Sequence, residues 1–124
     1  MDITPLIPQG KQIITGYGDG QFRINGIVHK TSVLIFPGKT MLWSIAANAA
    51  ITLESLAPII AAADDVELLL IGCGKNQSIL PPKIRNALKE AGIGLEIMDT
   101  GAACRTYNIL LAEGRRVAAA LIAV

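Results

Sequence analysis

Hydrophobic and polar positions along the chain change period several times, and each change predicts an element. Between Gln12 and Lys30, short β-prone runs are cut by Gly16, Gly18, Gly20 and an Asn25-Gly26 pair. Asn-Gly between alternating residues is a hairpin signal, because both residues accept the positive φ of a tight turn. Phe22 and Ile24 alternate before the turn, while Ile27 and Val28 are adjacent after it, so the turn rather than the alternation predicts a β-meander here. Thr31 to Phe36 is a β-branched and apolar run closed by Pro37-Gly38, which predicts an inner strand.

Further on, Thr52 is placed to cap a helix with Glu54 in its first turn and Leu53, Leu56, Ile59 and Ile60 as its core stripe. Val66 to Ile71 is almost uninterruptedly apolar and ends in Gly72-Cys73-Gly74, the pattern of a strand covered on both faces and the expected centre of the sheet. Pro81-Pro82 suits the first turn of a helix with Ile84, Leu88 and Ala91 on one face and Gly92 as its stop. A strand over Gly94 to Met98, a helix over Ala102 to Ala112 ended by Gly114, and a last strand over Val117 to Val124 complete a βαβ series in a single α/β domain.

Composition sharpens this. With 124 residues, 52% hydrophobic and 17% charged, the chain has enough apolar material for one core and too little charge for disorder. Aromatics are only 4% against 12 glycines, so the core is aliphatic and its backbones approach closely. A formal net charge of +1 provides no field for a phosphate backbone, which argues against nucleic acid. Two cysteines, Cys73 and Cys104, and one histidine, His29, support neither a disulfide framework nor a zinc site, so no metal and no cofactor are expected.

From Lys39 to Asp64 the only charge between is Glu54, yet Ser44, Asn48, Thr52, Ser55 and Pro58 recur too often for a lipid-facing helix. No membrane insertion is expected. The opening Met1-Asp-Ile-Thr-Pro has neither the basic and apolar regions of a signal peptide nor the Arg-rich character of a transit peptide, which predicts a cytoplasmic protein.

Chemistry in open α/β sheets gathers beyond the carboxyl ends of parallel strands. Two segments here end strands and begin helices, Gly72 to Ser78 and Asp99 to Asn108. If their strands are neighbours they form one crevice, with Gly72, Cys73, Gly74, Lys75, Asp99, Thr100, Cys104, Arg105, Thr106 and Asn108 as candidate lining. Glycine backbone, a helix start, Lys75 and Arg105 suit a small anion or carboxylate. Gly72, Gly74 and Gln77 break the dinucleotide spacing, as do Gly16, Gly18 and Gly20, and Gly74-Lys75 lacks the first glycine of a P-loop.

Cys104 beside Arg105 at a helix start has the sequence setting of an activated thiol, whereas a buried apolar filler is the simpler role for both cysteines. Asp99 is expected to cap the turn after its strand, and Glu113 to pair with Arg115 and Arg116. For Trp43 and Tyr107 a core role is the simpler one, yet Trp43, just past Pro37-Gly38, is the candidate surface for a protein partner, and Tyr17 has the same two roles, core or surface. A meander edge also allows a homo-oligomer.

Four segments carry a resemblance: Leu68 to Gly74, Gly92 to Thr100, Ala103 to Leu110 and Glu113 to Leu121, with Gly16-Tyr17-Gly18, Phe22 to Gly26 and Phe36-Pro37 before Trp43. Together they resemble the mitochondrial complex I (NADH dehydrogenase) assembly factor 3 family and its prokaryotic relatives, a domain of unknown function named after a methanogen hypothetical protein. The resemblance implies a three-layer α/β domain with a five-stranded mixed sheet whose last strand runs against the others. It further implies a non-enzymatic interaction module with no cofactor, whose mitochondrial members chaperone early complex I assembly beside another assembly factor. The family pattern marks Gly72, Gly74, Asp99, Thr100, Cys104, Thr106, Asn108, Glu113 and Arg115, and Cys73 departs from it, standing where relatives more often carry Thr.

Overall fold

The computed structural model describes residues 11–45, 51–74 and 80–124. The first three strands, β1 (Ile14–Gly18), β2 (Gln21–Ile24) and β3 (Ile27–His29), form an antiparallel meander in that order. Its two turns are Asp19-Gly20, with φ of 54° and 74°, and Asn25-Gly26, with 50° and 81°. Positive φ at both central residues gives a turn whose twist matches the flanking strands. The Asn25 carboxamide also accepts the Ile13 N–H at 2.8 Å and donates to the Lys11 carbonyl at 2.8 Å, tying the strand entry to the second turn. Phe22 and Ile24 are buried, while Ile27 and Val28 face outward.

A five-stranded sheet follows: β4 (Val33–Phe36), β5 (Lys39–Leu42), β6 (Leu68–Gly72), β7 (Gly94–Met98) and β8 (Val117–Leu121), in the order β5-β4-β8-β6-β7. β8 pairs parallel with β6 and antiparallel with β4, and β6 pairs parallel with β7. The last strand therefore opposes only one neighbour. β4 is the strand that runs against all the others, since β5 is also antiparallel to it. Pro37-Gly38 ends β4 as the sequence pattern suggested, and it also turns the chain into an additional edge strand, β5. The middle strand is β8 rather than β6. Ala118, Ala119 and Ala120 are all fully buried, and their small side chains let helices approach both faces of the sheet centre.

Two apolar clusters, one on each face, make the domain three layers deep. One gathers Leu34, Phe36, Leu69, Ile71, Ala118 and Ala120 against α1 (Ala57–Ala61) and α2 (Pro82–Glu90). The other gathers Val33, Ile35, Leu70, Ala119 and Leu121 against α3 (Thr100–Ala112) and the inner side of the meander. Thr52 does cap its turn, its hydroxyl accepting the Ser55 N–H at 3.1 Å. Pro82 opens α2, and Gly92 and Gly114 end α2 and α3 with φ of 79° and 77°.

Candidate functional site

Because β6 and β7 are hydrogen-bonded neighbours, the segments after them share one end of the sheet, as the crevice requires. The chain leaving β6 goes to α2 on one face and the chain leaving β7 goes to α3 on the other, so the crevice lies where successive connections part. An open cleft of about 590 Å³ occupies this end, lined by Gly74, Asp99, Gly101, Arg105, Val124 and the first hairpin residues Tyr17, Gly18 and Asp19.

Of the ten residues expected in the crevice, Gly74, Asp99 and Arg105 line this cleft. Gly72 is packed beneath α3: a Cβ there would meet the Thr100 Cα at 2.9 Å, so only glycine allows this approach of helix to strand. Cys73 is buried, and its thiol donates to the Met98 carbonyl at 3.2 Å. Thr100 is also buried and joins three segments, its hydroxyl accepting the Gly74 N–H at 3.0 Å and donating to the Ile122 carbonyl at 2.8 Å. Thr106 is half-buried on α3 and outside the cleft lining. Lys75 lies outside the described residues, as do residues 76 to 78 of the same expected loop.

Asp99 caps α3, its carboxylate accepting the Ala102 N–H at 2.8 Å. Asn108 grips the backbone of β1 and so is turned away from the cleft. Cys104 is buried against the sheet, and burial pushes its thiol up to about 12. Arg105 pulls the other way, but desolvation dominates, and the activated-thiol role is excluded by the burial. Burial likewise raises the Tyr107 phenol, which donates to the Phe36 carbonyl at 3.2 Å.

The sequence leaves Tyr17 open between core and surface, and the side chain is exposed. In the fold its hydroxyl accepts from the Arg105 guanidinium at 2.9 Å, and a Cβ on Gly101 would come within 2.6 Å of that hydroxyl. A glycine at 101 is what lets the first hairpin lie over the start of α3.

Two further expectations are corrected. Trp43 is not a surface residue: it is 2% exposed, its backbone N–H bonding the Ser32 carbonyl at 2.9 Å after β5 has carried the chain back and its ring joining the α1/α2 core. Glu113 makes no ion pair among the described residues. Arg115 pairs with Glu67 at 2.9 Å, since Gly114 redirects the chain toward the start of β6. Glu67 also accepts the Arg116 N–H at 2.9 Å, and this bond, with those from Arg115, holds its carboxyl below the usual carboxylate value.

Among the described residues, no group of three or more His, Cys, Asp or Glu side chains is placed to hold a metal, and no helix is long and apolar enough to cross a membrane. The fold is a mixed α/β domain with one peripheral meander, and its cleft is glycine-rich and shallow. Residues 14–122 match the model of a protein family of unknown function (DUF498/DUF598), and the chain belongs to that family. It is 42% identical over 109 residues to an uncharacterized protein of Rhodobacter capsulatus, covering 88% of this chain and 82% of that one. It is 33% identical over 110 residues to NADH dehydrogenase [ubiquinone] 1 alpha subcomplex assembly factor 3 of Danio rerio, covering 89% of this chain and 63% of that protein. A solved Mth938-like domain from Bordetella pertussis superposes with a TM-score of 0.84 at 32% identity, covering 98% of this chain and 92% of that one.

Proposed function

We propose that the chain is a non-enzymatic interaction module that assists assembly of a respiratory membrane complex. The observation that carries this reading is the 33% identity to an assembly factor, spread over 89% of this chain rather than confined to one motif. The use of the marked polar residues supports it. Asp99, Thr100 and Asn108 hold helix and strand ends together, and no nucleophile stands beside a base among the described cleft residues. On this reading the chain works in a prokaryotic cytoplasm, with protein partners drawn from respiratory-complex assembly. Its contact surface includes the sheet edge at Leu42, 63% exposed, and the meander edge at Ile27, 62% exposed. These edges also suit a second copy of the chain. Affinity purification from native membranes tests the reading: subunits of a respiratory complex are expected, and recovery of self-associated protein alone would overturn it.

A second reading, a small-anion or carboxylate ligand in the cleft, is favoured by one observation. Arg105 bonds the Tyr17 hydroxyl in the cleft and is exposed. Asp19 and Asp99 stand against it in the same cleft. A thermal-shift screen decides, since a ligand at about 100 times its Kd adds about 2.7 kcal/mol. A shift abolished by Arg105→Ala supports this reading, and no shift with any anion or metabolite ends it.

A further inference from the structure

We infer that a second pocket, beside the β4–β5 turn and away from the cleft, docks an acidic, partly apolar segment of a protein partner; this rests on the interaction-module reading. Lys11, Lys39 and Arg116 converge on a cavity of about 470 Å³ lined also by Phe36, Pro37, Gly38, Ala62 and Asp65. Three cations face one carboxylate there, a local excess of two in a chain whose total is only +1. Among the described residues none of the three cationic side chains makes an ion pair, although the Glu67 carboxylate, which pairs with Arg115, lies near enough to Arg116 to be lowered by its charge.

The three positive residues come from separate parts of the chain, and local contacts place the backbone at each one. Beside Lys11, the Gln12 N–H bonds the Pro37 carbonyl at 2.9 Å and the Gln12 side chain accepts from Thr40 at 2.7 Å. Lys39 pairs in register with Phe36 across the turn, and its ammonium lies 5.2 Å from the Phe36 ring centroid. Arg116 is held by its N–H on Glu67 and its guanidinium on the Asp64 carbonyl, each at 2.9 Å. Between them lies an apolar floor of Phe36, Pro37 and Ala62.

Charge complementarity selects the occupant. Carboxylates meet the cationic rim while an aliphatic neighbour covers the floor, the usual division of an interface into apolar centre and polar edge. A nucleic acid would need a longer basic track than three cations interrupted by Asp65.

The test uses the full isotope-labelled chain and a ten-residue peptide alternating Glu and Leu, followed by amide chemical shifts at low salt. Saturable shifts are expected around Gly38, Lys39 and Ala62, and they should weaken as salt rises. Lys39→Glu or Lys11→Glu should each weaken binding by roughly fivefold, the scale of one exposed charge pair. Asp65→Asn should tighten it, and Lys89→Glu on α2 should change nothing. The proposal fails if the peptide does not bind, if its Gln-for-Glu version binds equally, if Lys89→Glu costs as much as Lys39→Glu, or if inorganic phosphate or a single-stranded oligonucleotide binds the same residues more tightly. A failed peptide titration with respiratory subunits still recovered from membranes would remove this pocket and leave the interaction-module reading standing.

Discussion

Asn108 holds Ile14 by both backbone groups at once, its carboxamide oxygen accepting the Ile14 N–H at 3.1 Å and its nitrogen donating to the Ile14 carbonyl at 2.7 Å. The side chain therefore behaves as one rung of a strand, docking the meander on α3 across 94 positions of sequence. Asn108→Ala is expected to lower stability by about 1–3 kcal/mol, because two part-buried backbone groups lose their partners. Urea unfolding measures the loss, and amide exchange should rise in β1 to β3 before it rises in β6. An unchanged midpoint would place the hold on the meander in its other contacts, the burial of Phe22 and Ile24 and the Arg105–Tyr17 bond.

Thr100 connects the ends of β6 and β8 to the start of α3 through one hydroxyl. Thr100→Val keeps the shape and removes both bonds, so a loss of about 2–3 kcal/mol is expected from the unpaired buried groups. Thr100→Ser restores the hydroxyl and should recover most of that loss. Thermal or urea unfolding of the two variants side by side checks the order, and a larger loss for Thr100→Ser than for Thr100→Val would assign the role to the methyl group instead.

Glu67 has its carboxyl lowered from 4.5, first by the Arg116 N–H and then by Arg115. A carboxylate lowered on folding adds stability that is present above its unfolded value and is lost as pH falls through its folded value. The stability gap between wild type and Glu67→Gln should therefore close as the solution is acidified below about 4.5. Denaturation series at several pH values read this directly. A gap independent of pH would place the benefit in packing rather than charge.

Cys104, with its thiol pushed up to about 12 from 9.0, is protonated at neutral pH and shielded by the sheet. A thiol raised on folding favours the folded state below 9.0, and that contribution is lost as pH climbs toward 12. Iodoacetamide at pH 8 should therefore label Cys104 only as fast as the protein opens, and urea should accelerate labelling sharply. Rapid labelling of the native protein would contradict this burial.

The sequence revealed most where a local rule acts alone. Asn25-Gly26 declares its hairpin because few other pairs accept two positive φ values, and Gly94 to Met98 is read with its boundaries intact because Gly92 and Asp99 bracket it. β5 was not legible, since Lys39-Thr40-Met41-Leu42 is a short edge strand without a strong apolar pattern, and Pro37-Gly38 reads equally as an end or a turn. Missing β5 also misplaced Trp43, whose burial depends on that return. The centre of the sheet was assigned by hydrophobic strength, which favours Leu68 to Ile71, whereas the fold assigns it by thinness, which favours Ala118 to Ala120. For the candidate site, proximity of the two loops followed from chain order, but the direction of each side chain did not. Thr100, Cys104 and Asn108 lie on the same helix as Arg105, yet helical phase turns Arg105 outward and sends the others into packing or onto β1.

The strand order also bears on how the protein is made. β4 and β5 leave the ribosome well before β6 and β7, yet neither pair has an edge in contact with the other. The piece that joins them is β8, the last strand to be synthesised among the eight. Until it emerges, the inner edges of β4 and β6 lack the partner that joins them in the fold, and pairing that spans such long sequence distances slows folding. The three alanines at its middle make that strand an undemanding wedge, since joining β4 to β6 asks for little side-chain room on either face.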